Sequence, residues 1–195
     1  MIPFETDAYF HIYNHANGNE NLFHEERNYN FFLQKYIKYL APFTETLAYV
    51  LMPNHFHILI KSKDITELKD IRILQDFKNL GGLSLRISQQ FSNLFNSYTK
   101  TFNLEYHRKG SLFIPNLKRK EVNSEAYLIK LINYIHFNPV VHGFCAKPEE
   151  WRYSSYKAII SEKPTLIDRK SVLFFFDGLD NFLFNHWYPI ELDEL

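Results

Sequence analysis

The chain carries one cysteine, six glycines and eight prolines in 195 residues, and no apolar run of the roughly 18 residues that a membrane helix needs. A lone Cys145 cannot form an internal disulfide, and the lack of a Cys-x-x-Cys pair argues against a structural zinc site. Sparse glycine and proline argue against collagen-like or disordered chains. The first residues, Met1 to Asp7, lack a basic stretch followed by an apolar core, so a soluble, cytoplasmic protein is expected. There is no Gly-x-x-x-x-Gly-Lys phosphate loop and no His-Glu-x-x-His motif, which removes P-loop nucleotide chemistry and that class of zinc peptidase. What the chain has in quantity is aromatic, with 19 Phe and 13 Tyr. Its length suits one substantial core: a domain over residues 1–160 and a C-terminal aromatic and acidic extension over 161–195.

Net charge is zero, but it is unevenly spread. Lys61 to Lys120 holds twelve Lys/Arg against five Asp/Glu, whereas Ser171 to Leu195 holds five acidic residues and no basic one. A basic middle suits a polyanion, although ordinary solvated charge would give the same counts. The extension (Val172-Leu-Phe-Phe-Phe-Asp-Gly-Leu-Asp-Asn-Phe-Leu-Phe-Asn-His-Trp-Tyr188) is apolar enough that it must be buried, by default on its own domain.

Periodicity sorts the chain into elements. Ala8 to Asn14 alternates as a first strand, and Asn28 to Leu40 repeats its aromatic residues at helical spacing. Thr44 to Leu51 and His55 to Lys61 read as two strands joined through Met52-Pro53-Asn54 in a hairpin. Asp64 to Leu80 is charged, a helix and loop punctuated by Gly81-Gly82. Leu83 to Phe102 places Leu83, Ile87, Phe91, Leu94, Phe95, Tyr98 and Phe102 on one helical stripe. A short strand is expected between Tyr106 and Lys120. Asn123-Ser124-Glu125 caps a further helix that Pro139 should end, with Gly143 just beyond. Strands interleaved with helices around one hairpin favour an α+β fold, an antiparallel sheet covered by helices.

Two segments carry chemistry. In the strand His55-Phe56-His57 alternate side chains face opposite ways, so both imidazoles share one face about 6–7 Å apart, close enough to hold one divalent ion. Four residues on a helix return to the same face, so Tyr134 and Asn138 in Tyr134-Ile135-His136-Phe137-Asn138 point together. Each has a bland reading when taken singly. A strand His-x-His is more often a pair of satisfied or exposed histidines, and Tyr127, Leu131, Tyr134, Ile135 and Asn138 form a stripe typical of a core. His136 lies about 200° round the helix from Tyr134 and reads as packing or solvent. The metallo-β-lactamase continuation His-x-His-x-Asp-His fails, because Leu59 and Ile60 stand at its last two positions.

Together, Leu51-Met-Pro-Asn-His-Phe-His57 and Tyr134-Ile-His-Phe-Asn-Pro-Val140 resemble the single-tyrosine, HUH-type transposase family, in particular its REP-associated tyrosine transposase branch. Gly110-Ser-Leu-Phe113 with Lys118-Arg119-Lys120, and Trp151-Arg-Tyr-Ser-Ser-Tyr156, resemble it too, so the match runs from about Tyr9 to Tyr156. His15 departs from it, standing where the family more often has an arginine on the DNA backbone. The resemblance implies a ferredoxin-like sheet, with His55, His57 and Asn138 holding Mg²⁺ or Mn²⁺. It implies that Tyr134 attacks a phosphodiester of single-stranded or hairpin DNA flanking repeats, leaving a 5′-phosphotyrosine and a 3′-hydroxyl. Lys130, one turn before Tyr134, is a candidate to favour the phenolate or hold the phosphate.

Arg108, Lys109, Lys118, Arg119 and Lys120 flank Phe113, a basic and aromatic mixture suited to phosphates and unstacked bases. Two other readings stay open: a domesticated DNA-binding protein without turnover, and a relaxase or replication-initiator nuclease with the same histidine pair. A homodimer and a monomer are both compatible with the sequence.

Overall fold

A computed structural model describes residues 2–64, 82–190 and 192; the charged segment after Asp64 lies outside them. The elements are β1 (Tyr9–His15), α1 (Glu26–Leu40), β2 (Thr44–Leu51), β3 (His55–Ser62), α2 (Leu83–Glu105), β4 (Lys118–Val122), α3 (Glu125–Val141), α4 (Tyr156–Ile160), α5 (Arg169–Phe175) and α6 (Leu179–Asn185). The strands form one antiparallel sheet in the order β2-β3-β1-β4. A β-α-β-β-α-β unit so ordered is the ferredoxin-like arrangement, and the α+β expectation holds.

The hairpin is pinned at its turn. Met52 N–H donates to His55 O at 2.8 Å, while Pro53 O accepts from Leu22 and Phe23 and Asn54 O accepts from Ala16 N–H at 2.7 Å. β3 is then buried on both faces, which explains its nearly continuous apolar run. Phe56, Ile58 and Ile60 enter one core with Phe10 and Ile12 of β1, Phe32 of α1, and Phe91 and Tyr98 of α2. Leu59 enters the other, with Leu47 and Val50 of β2 and Leu131 and Ile135 of α3. The histidines of β3 point into this second layer.

Helix ends follow local chemistry. α1 begins two residues before Asn28, because the Asn28 side-chain oxygen reaches back to the N–H groups of His24 and Glu25 at 2.9 and 3.1 Å. At α3, Ser124 Oγ accepts from Tyr127 N–H at 3.2 Å, the expected cap. The expected stop at Pro139 needs correction, since α3 runs on to Val141. Proline fixes a φ compatible with a helix and forfeits only its own N–H bond, and this one stands in the last turn. The helix closes instead at Gly143 (φ +74°), where Phe144 N–H reaches Pro139 O and Gly143 N–H reaches Val140 O.

Trp151 to Tyr156 runs as a strap along β2. Trp151 Nε1 donates to Leu51 O at 3.0 Å, Leu51 N–H to Tyr153 O at 2.9 Å, and Val50 bridges Ser154. The C-terminal extension folds back: Val172, Phe176 and Phe182 are buried in the α3 layer, while Phe174, Phe184, Trp187 and Tyr188 stay exposed. Among the described residues no helix is long and apolar enough to cross a membrane.

His136, which sequence reading gave to packing or solvent, is wholly buried and joins the extension to the strap. His186 donates from Nδ1 to Phe182 O at 2.8 Å, so its Nε2 accepts from His136 Nδ1 at 2.9 Å. His136 Nε2 in turn meets Ser155 Oγ at 2.8 Å. The chain is satisfied with both rings neutral, and burial holds His136 well below the ordinary imidazole range and His186 down to about 4. The unfolded chain therefore binds protons that the folded one refuses, and stability should fall as pH drops from about 6.5 toward 4. Denaturant unfolding at pH 7 and 4.5 should show His186→Gln losing less over that interval than the parent, by about 2 kcal/mol.

Candidate active site

The register of the sheet assembles the site. In β1–β3, Tyr13 pairs with His57 and His15 with His55; in β1–β4, His11 pairs with Lys120 and Tyr13 with Lys118. Directly opposed residues share a face, so Tyr9, His11, Tyr13, His15, His55, His57, Lys118 and Lys120 all look to the α3 side. α3 crosses β2, β3 and β4 and brings Tyr134 and Asn138 onto that face.

The His55 and His57 ring centroids lie 5.4 Å apart, and the Tyr134 ring stands 5.4 Å from His57 at 85°. His55 Nε2 lies 2.9 Å from Asn138 Oδ1, and His55 Nδ1 lies 2.8 Å from Asn54 Oδ1. His15 stacks on His55 at 4.8 Å, and His142, just past α3, meets His55 edge-on at 5.2 Å. The structure therefore brings His55, His57, Asn138 and Tyr134 together. Lys130 is exposed on α3 and takes no part in these contacts.

A neutral imidazole has one N–H to give. If His55 gives it from Nδ1 to Asn54, its Nε2 lone pair faces the Asn138 oxygen. Two acceptors converging at 2.9 Å match the spacing of adjacent ligands about 2.1 Å from one octahedral ion. Among the described residues no group of three or more His, Cys, Asp or Glu is arranged to hold a metal. The donors gathered on this face are two imidazoles and an amide, all uncharged.

Burial drives the electrostatics. It lowers His55 to about 4, against the opposing Asn138 contact, and holds His57 well below the ordinary range, with nearby His11 adding to the effect. Both rings are neutral near pH 7 and available as ligands. Burial raises the Tyr134 phenol, while a hydrogen bond from the Asn138 side chain pulls it the other way. The Asn138 side chain thus faces His55 through its oxygen and bears on the Tyr134 phenol as well.

The five basic candidates separate. Lys118 and Lys120 share the face of the site; the Lys120 ammonium also lies 5.1 Å from the Tyr127 ring. Arg119 turns to the other face, 4.1 Å from the Phe4 ring, and donates to Ser88 Oγ at 3.0 Å. Arg108 is held inside its own loop by Asn103 Oδ1 at 2.8 Å, Ser111 O at 3.3 Å and Glu20 at 2.9 Å. Lys109 is exposed. Sequence reasoning missed His11, Tyr13, Asn54 and His142, and weighed His15 only as a replaced arginine. The alternation of β1 held the signal for the first two: residues 9, 11, 13 and 15 are Tyr, His, Tyr and His.

A four-stranded antiparallel sheet between two helical layers, with a histidine strand facing a tyrosine helix, is a ferredoxin-like α+β protein. In fold the chain is similar to a REP-associated tyrosine transposase solved bound to a REP hairpin, with a TM-score of 0.59 at 15% identity, covering 86% of this chain and 92% of that one. In sequence it is 25% identical over 112 residues to a Haemophilus influenzae protein named as a REP-associated tyrosine transposase, covering 57% of this chain and 58% of that protein. The chain thus matches somewhat over half the length of this curated relative. No family model matches. The resemblance carried by the two motifs therefore recurs in a curated relative and in a solved fold.

The two arginines should matter for folding before they matter for any ligand. Arg119→Ala and Arg108→Ala are each expected to cost about 1–2 kcal/mol in urea unfolding, through lost ring stacking and hydrogen bonds. Lys118→Ala, exposed on an edge strand, should change stability by less than about 0.5 kcal/mol.

Proposed function

We propose that this protein is a metal-dependent tyrosine transposase that nicks and rejoins single-stranded or hairpin DNA through a 5′-phosphotyrosine. The observation that carries the reading is the approach of the Tyr134 ring to His57, with Asn138 Oδ1, one turn further along the same helix, beside His55 Nε2. The DNA substrate rests on the likeness to a protein seen bound to a REP hairpin, and on Lys118 and Lys120 beside the site.

In the proposed reaction Tyr134 Oη attacks the phosphorus of a phosphodiester. The tyrosyl O–P bond forms as the P–O3′ bond breaks; the phenol loses its proton and the leaving oxygen ends as a 3′-hydroxyl. The bond energy is kept in the covalent adduct, so attack by a 3′-hydroxyl reverses the step without a nucleotide cofactor. A free phenol titrates near pH 10, and burial raises this one further, so the phenolate must be stabilised where it forms. The Asn138 amide does part of that. His55 Nε2, His57 and Asn138 Oδ1 would hold a divalent ion, which when bound supplies Lewis-acid polarisation of the phosphoryl oxygens. Buried neutral imidazoles hold an ion without cancelling its charge, and the half-buried site limits competing water.

A labelled hairpin oligonucleotide with single-stranded flanks, incubated with Mg²⁺ or Mn²⁺, should yield a protein–DNA adduct that survives denaturing electrophoresis. Tyr134→Phe should abolish the adduct and leave hairpin affinity within a few-fold. Binding without adduct under either metal would instead identify a DNA-binding module without turnover. Lys118→Ala with Lys120→Ala should weaken hairpin binding and flatten its salt dependence by about one to two units of slope; an unchanged slope would remove the two lysines from the DNA path.

A further inference from the structure

We propose that His11 is a positioning residue for His57: its Nε2 accepts the His57 Nδ1 proton, fixing the tautomer and ring plane that turn His57 Nε2 toward the divalent ion. The inference rests on His57 being a ligand in the proposed reaction.

His11 sits on β1 opposite Leu59, so His57 is its diagonal neighbour on the same face. His11 Nε2 and His57 Nδ1 are 2.9 Å apart. The ring centroids are 5.1 Å apart and the planes differ by 23°. The centroid separation is close to the 2.9 Å between the nitrogens plus the two ring radii, so the contact lies nearly on the line joining the centroids. The rings therefore meet edge to edge in nearly one plane, the alignment of a strong hydrogen bond and unlike a stack.

Both rings are buried and their nitrogens are 2.9 Å apart, so they share one proton across this contact. Two arrangements satisfy it. In one, His11 Nε2–H donates to His57 Nδ1, which puts the remaining His57 proton on Nε2 and closes that atom to any cation. In the other, His57 Nδ1–H donates to His11 Nε2, and the His57 Nε2 lone pair is free. Only the second is compatible with metal binding, and it requires His11 to carry its own proton on Nδ1 and present Nε2 as the acceptor. Metal-bound histidines characteristically give their second N–H to such a partner.

His11 has no other evident employment. It is fully buried, and among the described residues its Nδ1 finds no hydrogen-bond partner. An apolar residue would fill this place without stranding a polar atom. A carboxylate would accept the same proton, but it would bury a negative charge on a face that must receive phosphate. Imidazole supplies an acceptor without that charge.

The test uses Mn²⁺ alone, titrated into the full chain and followed by electron paramagnetic resonance, so that affinity is read without turnover. His11→Phe keeps a ring but removes the acceptor, and should weaken Mn²⁺ binding about 10- to 100-fold. His11→Gln, whose side-chain oxygen reaches the Nε2 position, should stay within a few-fold of the parent. Metal-free hairpin binding should be unchanged in both, which a general structural defect would not allow. Nitrogen-15 imidazole spectra of the parent with saturating Mg²⁺ should show His57 protonated on Nδ1, a readout that needs no variant to fold. Parent-like Mn²⁺ affinity in His11→Phe, or an Nε2-protonated His57 under Mg²⁺, would overturn the role of His11 alone. A parent protein that takes up no Mn²⁺ would overturn the metal reading, and this inference with it.

Discussion

The meeting of His55 Nε2 with Asn138 Oδ1 joins two parts of the chain that are 83 residues apart, the histidine strand and the tyrosine helix. Everything chemical in the site depends on that junction. α3 packs over the sheet through apolar residues such as Leu131 and Ile135, which fix its height but leave its axial position less constrained. The polar contact adds direction: it sets which turn of α3 lies over His55, and so where Tyr134, one turn earlier, meets His57. Asn54 holds the other edge of the His55 ring from the hairpin turn, which is itself pinned by Leu22 and Phe23.

The pleat of β1 and β3 explains why so many imidazoles gather in one place. Each strand must fill two cores, and each does so by alternation. One face supplies Phe10, Ile12, Phe56, Ile58 and Ile60 to the packing of α1 and α2; the other carries His11, His15, His55 and His57 under α3. Burying neutral imidazoles costs less than burying charges, provided each ring nitrogen is partnered. The His136–His186–Ser155 chain meets that condition fully. The cluster under Tyr134 does not: among the described residues, His11 Nδ1 is buried without a hydrogen-bond partner. A satisfied network is what stability alone would select, so the unsatisfied one marks where the structure serves chemistry.

Much of this was legible in the sequence. Period-two alternation located β1, β2 and β3, and helical stripes located α1, α2 and α3, because burial on a pleat or a helix leaves a periodic trace. The His55/His57 face and the Tyr134/Asn138 face were legible for the same reason. What was not legible required knowing which strands pair. That His11 lies diagonal to His57, or that His15 stacks on His55, follows from the β1–β3 register, and register is set by the whole sheet. Pro139 misled because a proline rule for helix interiors was applied in a last turn. Nor was it legible that Arg108 and Arg119 are engaged in loop and ring contacts while the lysines face the site, since a guanidinium can serve packing as readily as a polyanion.

Charge counting deserves the same correction by position. The surplus of seven basic residues between Lys61 and Lys120 is a property of the chain; what a ligand meets is a property of one face. Strand β4 divides the Lys118-Arg119-Lys120 run by alternation, sending the lysines toward the site and the arginine onto Phe4. The field over the candidate site is therefore built from fewer cations than the sequence advertises: Lys118, exposed on the edge strand, and Lys120, half-buried beside the imidazoles. On that face the chain's own positive charge sits at Lys118 and Lys120. A chain of zero net charge thus carries a locally positive face beside the histidines.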